Sequence, residues 1–472
     1  MKPTYKSFIK LCSILIFYTH IVDGQSVSST DTLKLSLPQC IDLTLKNNKS
    51  RDVKNYALKI AELKIKQANS GHYPSVDLSS GYTIQDQDMN FIMPSTAIQT
   101  PSMNFGTMFI PAITFNVPEQ NIKVADKQSI GVQLDFMLPL FLGGKISSFV
   151  KQAESNLEMA RQDVRSNDDQ IILETKKLFY SVILAEHLKQ IAQDAEDRMA
   201  ATLSFTEALY TKGSGKVTKS DYLKNKIFVD AIKSIVSELN GEQKVAKSAL
   251  VYAMGLNWKN EVEVTEKEFP NAIVHSSLDS MVDTLLAKNP FIAKVKNGLD
   301  ALTAKIDESK SDYYPSIALT GTYRHLFSGY DYGFTTKDNK DTWIVGLGIR
   351  MNLFNGLRTS AQVDEAKANY DQLSEQKTLL VNGLTLKLQA LYYQLESSNE
   401  KIVSSKEAAS SATENRELIE KGYFADLMEL ADLIQAQLTE SMMEAQLELV
   451  QYQNVILEAE LESLLSNYSK NN

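Results

Sequence analysis

The chain lacks several things at once, and each absence narrows what it can be. After the first 24 residues there is no run of 18 apolar residues, so a membrane-spanning helix is excluded. There is no basic excess. The formal net charge is -9, and phosphate binding needs a basic face, so nucleic acid is not an expected partner. Cysteine is almost missing. Only Cys12 and Cys40 occur, and Cys12 falls within an expected signal peptide, which leaves Cys40 with no disulfide or metal partner. Neither cysteine sits in a lipid-attachment motif, since Lys10 precedes Cys12 and Leu37-Pro38-Gln39 precedes Cys40. Proline is absent between Pro139 and Pro270 and again after Pro315, which leaves room for long unbroken helices.

What is present begins with a secretory signal. Lys2, Lys6 and Lys10 form its positive region, Leu11 to Tyr18 its apolar stretch, and Val22 and Gly24 its small cleavage residues. The segment 1–24 is therefore expected to be removed. A secreted chain that embeds in a membrane without apolar helices must do so as a closed β-barrel, because only helices and barrels satisfy every backbone group in lipid.

The sequence repeats itself at a long period. Asn48 matches Asn289, and Tyr73-Pro74-Ser75 matches Tyr314-Pro315-Ser316, both at an offset of 241. Leu140-Phe141 matches Leu353-Phe354 at 213, as do Ala153 with Ala366, Asn156 with Asn369, and Leu178-Phe179-Tyr180 with Leu391-Tyr392-Tyr393. Lys212-Gly213 is paired with Lys421-Gly422 at 209. One unit copied twice is the implied organisation, with repeats at 25–260 and 261–472 and a linker around Asn260 to Val274. The offset falls by 28 between Ser75 and Leu140, so the first copy carries an extra loop there.

Each Tyr-Pro-Ser opens a stretch of strict alternation. Val76, Leu78, Tyr82 and Ile84 share one face, and Ile130, Val132, Leu134, Phe136 and Leu138 form the returning row. In the second copy Ile317, Leu319 and Tyr323 are answered by Trp343, Val345, Leu347, Ile349, Met351 and Leu353. Period two with one apolar face fits a strand between lipid and lumen, or one covering a soluble core. Four strands per chain cannot close a membrane-spanning barrel, whereas three copies supply twelve. The first connecting loop, about Gln87 to Lys127, holds Pro94, Pro101, Pro111 and Pro118. It also holds Met89, Met93, Met103 and Met108, for which packing in an ordered loop is preferred to a copper or silver site.

Long helices follow each strand pair. Val150, Leu157, Val164, Ile171, Leu178, Ala185, Ala192 and Met199 recur every seven residues, a coiled-coil seam. Roughly 65 residues at 1.5 Å each predict a rod on the order of 100 Å long. The second copy is expected to repeat it from about Thr359 to Glu420. Glycine turns at Lys212-Gly213-Ser214-Gly215 and Lys421-Gly422 then send the chain back along helices from Thr218 to Met254 and from Ala425 to about Leu465.

In this order the features resemble the TolC family of outer-membrane efflux proteins. The resemblance covers nearly the whole chain after the signal. It implies a mainly α fold with a β membrane part: a trimeric twelve-stranded barrel, four strands per protomer, continued by a long periplasmic helical barrel. It further implies a homotrimer in outer-membrane lipid that docks on a periplasmic adaptor and an inner-membrane pump of the RND or ABC class. The resemblance places a gate near the second turn, where Asp426, Glu429 and Asp432 are expected on one face of the returning helix, opposite Leu427, Leu430 and Ile434. Asp221 after the first turn is a further candidate, and the turns at Gly213, Gly215 and Gly422 are the expected docking tips. Such a ring of carboxylates would favour cations.

No catalytic constellation is found. Gly213-Ser214-Gly215-Lys216 lacks both the earlier glycine and the Ser or Thr of a phosphate loop. His72, His187, His275 and His325 are widely separated, and no Gly-x-Ser-x-Gly elbow occurs. No enzyme, cofactor or metal is therefore expected. The competing architecture is a secreted coiled-coil rod with a β-rich adhesive head.

Overall fold

A computed structural model describes residues 32–213, 217–271, 276–330, 333, 334, 336, 338–466 and 468. The expected signal peptide lies outside the described residues. The chain opens with a short strand β1 (Leu33–Leu35), then helices α1 (Leu37–Asn47) and α2 (Lys49–Asn69). Asn48 separates the two helices and caps the second, its side-chain oxygen accepting from the Ser50 amide at 2.8 Å. A 3-10 turn at Ser70–His72 leads into Tyr73 and Pro74, and β2 (Ser75–Ile84) begins immediately after. Proline suits that place, where a strand starts and no ladder donor is yet needed.

The segment expected as a loop is instead a long hairpin. Its rising side is β3 (Met89–Met93), β4 (Thr96–Gln99) and β5 (Met103–Phe105). Its falling side is β6 (Met108–Ile110), β7 (Thr114–Val117) and β8 (Gln120–Ala125). From Asn90↔Lys123 through Ile98↔Phe115 to Phe105↔Met108 the register never slips, because each proline-containing gap has the same length on both sides. Equal gaps keep the strands in step while the prolines interrupt the ladder. The hairpin turns at Gly106-Thr107, with Gly106 at φ +62°.

The chain returns through β9 (Gln128–Leu142) and enters α3 (Lys145–Thr211), which reverses into α4 (Lys219–Ala253). Then β10 (Val262–Val264) pairs in parallel with β1, so part of the expected linker is tied into the fold. The second half runs α5 (Leu278–Lys288), α6 (Pro290–Lys310), β11 (Ser316–Ser328), β12 (Asp341–Arg350), α7 (Arg358–Phe424) and α8 (Leu430–Leu464). Helices α3 and α7 are each 67 residues long, and α4 and α8 each 35. At 1.5 Å per residue the longer pair are rods of about 100 Å. Asn289 repeats the role of Asn48, accepting from the Phe291 amide at 3.0 Å.

The four long strands form one antiparallel sheet in the order β12-β11-β9-β2. The register lines up Leu78, Leu134, Tyr323 and Trp343 as a single row across all four strands. Adjacent to it runs a row of Asp77, Asp135 and Thr322, polar as far as β12, where it ends on Ile344; the Thr322 hydroxyl donates to Asp135 at 2.8 Å. One face is therefore apolar and the other polar as far as β12. The apolar face is solvent-exposed in the single chain, with Trp343 74% and Leu78 74% accessible. An apolar face that covers no core within its own chain is what a lipid-facing sheet requires. The outer edges of β2 and β12 have no partner strand among the described residues.

Helix packing is centred on α3, which contacts α2, α4, α6 and α8, while α7 packs on α6 and α8. Each copy has its own apolar cluster about midway along its long helix. Phe179, Val182 and Ile183 meet Leu250, Met254, Val262 and Val264 in the first, and Leu388, Leu391 and Leu395 meet Met281, Leu285 and Leu461 in the second. Between them these clusters hold the rods side by side without a globular core. Among the described residues no helix is long and apolar enough to cross a membrane.

Candidate functional site: the two helix turns

The expected gate lies at the end of the rods remote from the sheet, where both long helices reverse. Helix α3 ends at Thr211, and Gly213 takes the left-handed conformation with φ +64°. Its amide donates to the Tyr210 carbonyl at 3.1 Å. Helix α4 then starts from a reciprocal cap. The Asp221 amide donates to the Thr218 hydroxyl oxygen at 3.2 Å, and the Thr218 amide donates to the Asp221 carboxylate at 3.1 Å. The hydrogen bonds from Thr218 hold the Asp221 carboxyl below the usual carboxylate range. Gly215 lies outside the described residues.

The second turn differs from its expected form. Helix α7 passes through Gly422 and ends at Phe424, and the left-handed residue is Asp426, with φ +68°. The Asp426 amide donates to Tyr423 at 3.1 Å and the Leu427 amide to Gly422 at 2.8 Å, the paired bonds of a Schellman motif. Gly422 thus supplies a carbonyl to the motif and does not make the turn. Helix α8 begins at Leu430, not Ala425. Glu429 is its N-cap, with its amide donating to Asp432 at 3.3 Å. Asp426, Glu429 and Asp432 therefore do not lie on one helix face: the first is in the turn, the second at the cap, and only the third within the helix.

The structure nonetheless brings most of the candidate carboxylates together. Asp221, Asp426 and Glu429 line one open cleft of about 660 Å³ between the two turns. Asp432 stands outside it, as the N3 residue of α8, matching Asp221 in α4. The cleft wall is mixed: Lys224 joins the carboxylates on its polar side, and an aromatic and apolar side faces them, which the sequence pattern did not reveal. Phe205 meets Phe424 edge to face at 5.4 Å and Tyr423 at 6.1 Å, and Leu427 and Met428 complete the wall. Ile434 packs with Met199, Val229 and Ile232, so the two turns form one head.

Behind the head an ion-pair network crosses three helices. Arg416 of α7 binds Glu440 of α8 through two bonds of 3.0 and 3.1 Å and Glu420 at 2.8 Å. Arg198 of α3 approaches Glu440 at 3.5 Å and donates to Ser441 at 3.3 Å. Burial pushes the neighbouring Glu444 carboxyl up. Higher on the rods, His187 bridges Glu448 and the Lys267 carbonyl, each at 2.5 Å. The His187 pKa is raised, chiefly by the hydrogen bond to Glu448.

Among the described residues no group of three or more His, Cys, Asp or Glu could hold a metal ion. The four arm methionines do not converge. Met89 and Met93 lie at the hairpin base, and Met103 and Met108 lie near its tip.

The family model described as "outer membrane efflux protein" matches residues 40–256 and 281–467. The chain belongs to the outer membrane efflux protein family. Its place is the outer membrane, and the secreted adhesive rod is set aside. The chain is 21% identical to the outer membrane efflux protein BepC of Brucella suis over 73% of its own length and 72% of that protein. It is 22% identical to the alkaline protease secretion protein AprF of Pseudomonas aeruginosa over 52% of each chain. The outer membrane protein VceC of Vibrio cholerae shares the fold, with a TM-score of 0.70 at 16% identity, covering 91% of this chain and 96% of that one. The family to which these helices and strands belong is one of channels rather than enzymes.

Proposed function

We propose that the protein is the outer-membrane exit duct of a tripartite efflux or type I secretion system. It conducts cargo passively from an inner-membrane pump of the RND or ABC class, through a periplasmic adaptor, to the outside. It works as a homotrimer and carries no catalytic activity of its own. The observation that carries this reading is the four-stranded sheet, apolar along one face and, among the described residues, unpaired at both edges. A sheet with free edges is not tolerated in lipid, and edge-to-edge pairing of β12 with a neighbour's β2 in three copies removes every edge. The rods then surround a continuous passage on the same axis.

In this reading the chain is two repeats, 25–260 and 261–472, and the cleft head is the periplasmic mouth. Three copies of Asp221, Asp426 and Glu429, against one Lys224 in each cleft, supply a net negative constriction that favours cations, with the exposed turns around Gly213 and Gly422 as adaptor contacts. Relatives named for efflux and for alkaline protease secretion belong to the same family, so cargo selection lies with the pump.

The test is to extract the protein in mild detergent, measure its mass and record currents in a planar bilayer. Heat-modifiable trimers with small cation-selective currents, enlarged in the D426N/E429Q variant, are expected. Trimers whose conductance ignores that variant would discard the gate. A soluble, non-conducting product would overturn the duct.

A further inference from the structure

The hairpin of β3 to β8 has no role in closing a barrel, and its chemistry is unlike the rest of the chain. Residues 89–122 contain a single charged side chain, Glu119, in a protein that is 23% charged. Each ladder segment carries an apolar cross-strand pair: Phe91↔Ile122, Ile98↔Phe115, then Met103↔Ile110 and Phe105↔Met108. All these side chains are exposed, from Ile122 at 39% to Met108 at 68%. By strand alternation the Ile98↔Phe115 pair lies on the opposite face from the other three, so both faces of the ribbon leave apolar surface open. An isolated two-stranded ribbon is marginal in water, so something must cover it.

The base of this arm is anchored. Lys123 pairs with Asp126 at 2.6 Å and Asp88 at 3.0 Å, and the Phe334 amide, between β11 and β12, donates to the Val124 carbonyl at 2.9 Å. The arm leaves the sheet at the end remote from the helices, where the ladder of β2 and β9 closes on Ile84↔Gln128. Lipid cannot cover it. Both ribbon edges carry backbone groups with no partner strand among the described residues, and hydrocarbon offers them none. A charged macromolecule finds almost no charge to read.

We infer that the arm packs against the same arm of two neighbouring copies, forming a cap over the outer mouth of the channel. This rests on the trimeric reading above. The β2 edge, which in that reading a second copy must cover, runs directly into the rising side of the arm. Seventeen residues from Met89 to Phe105, at about 3.3 Å each, give a reach near 55 Å. Strand spacing and tilt make a twelve-stranded barrel roughly 25 Å across, so arms rooted on its rim reach the axis with length to spare. Three uncharged apolar ribbons meet there without electrostatic repulsion, and each buries the others' exposed pairs.

The experiment uses full-length protein in outer membranes. Cys40 is buried, so Thr107→Cys places an accessible thiol at the arm tip. Mild oxidation should yield covalent dimers between copies in most molecules. Adding Phe105→Asp should lower that yield about tenfold while heat-modifiable trimers persist. Intact trimers of the Thr107→Cys variant whose introduced thiols label freely and never cross-link would overturn the cap and leave the duct standing. Absence of trimers in the unmodified protein would overturn the assembly, and the cap with it. Cross-links to some other membrane component in place of a second copy would likewise overturn it.

Discussion

Gly213 and Asp426 occupy the same place in the two copies. They lie 213 residues apart, and both are left-handed, at φ +64° and +68°. Only one of them is the residue this conformation favours. Aspartate tolerates it better than most side chains, and a branched one does not. Asp426→Gly should leave stability unchanged or slightly higher, and Asp426→Val should cost about 1–2 kcal/mol. Asp426→Asn keeps the backbone and removes the charge. Thermal unfolding measures the first effect and bilayer conductance the second. A stability loss in the asparagine variant equal to that of valine would show that the carboxylate, not the backbone, matters at this turn.

Asp221 and Asp432 should behave differently from Asp426, because both are tied to a helix start. Asp221→Ala and Asp432→Ala should each lower stability by about 1 kcal/mol, the usual worth of a cap. The effect belongs in the melting curve. If either variant instead changed conductance with no change in melting, its cap role would be secondary.

The Arg416–Glu440 pair joins α7 to α8 with Glu440 2% exposed and Arg416 16% exposed. Arg416→Met should destabilise by about 3 kcal/mol, because it strips a buried carboxylate of its main partner. The double variant R416M/E440M should recover most of that loss. A double-mutant cycle on the detergent-solubilised protein checks it, and additive losses would show that the pair is not coupled.

The pH dependence follows from His187. Its pKa is raised above its ordinary 6.5 in the folded protein, with Glu448 as the first cause. The ion pair therefore contributes fully below pH 6.5 and fades as pH climbs through the folded pKa. Melting temperatures should fall from about pH 6.5 upward, and His187→Gln should flatten that slope. An unchanged slope in the variant would assign the effect to another group.

Gly422 lies inside α7, and a Cβ there would stand 2.6 Å from Met428 Cγ. Alanine should be accommodated by a shift of that flexible side chain. Tryptophan should push the turn outward, abolishing export by the complete system while trimers still assemble. Normal export by Gly422→Trp would remove this turn from the docking surface.

Much of the architecture is legible in the chain itself. The 67-residue rods follow from a seven-residue apolar repeat with no proline. The strand positions follow from two-residue alternation after each Tyr-Pro-Ser, except that β12 ends at Arg350, short of the expected Met351 and Leu353. Asn48 and Asn289 stand out as a repeat, but their shared capping role does not. Glycine marks the reversal in the first copy and misleads in the second, where it lies four residues before the turn. Carrying the 213-residue offset of the helices onward aligns Gly213 with Asp426. The hairpin arm reads as a loop because its prolines interrupt alternation, and only cross-strand pairing shows that they stand in matched gaps. Local periodicity is written in neighbouring residues, so the sequence alone determines helix, strand and their order. The meeting of Asp221 with Asp426 and Glu429, and of Arg416 with Glu440 and Arg198, depends on which rods lie side by side. That is settled by packing between segments up to hundreds of residues apart, and only the tertiary structure decides it.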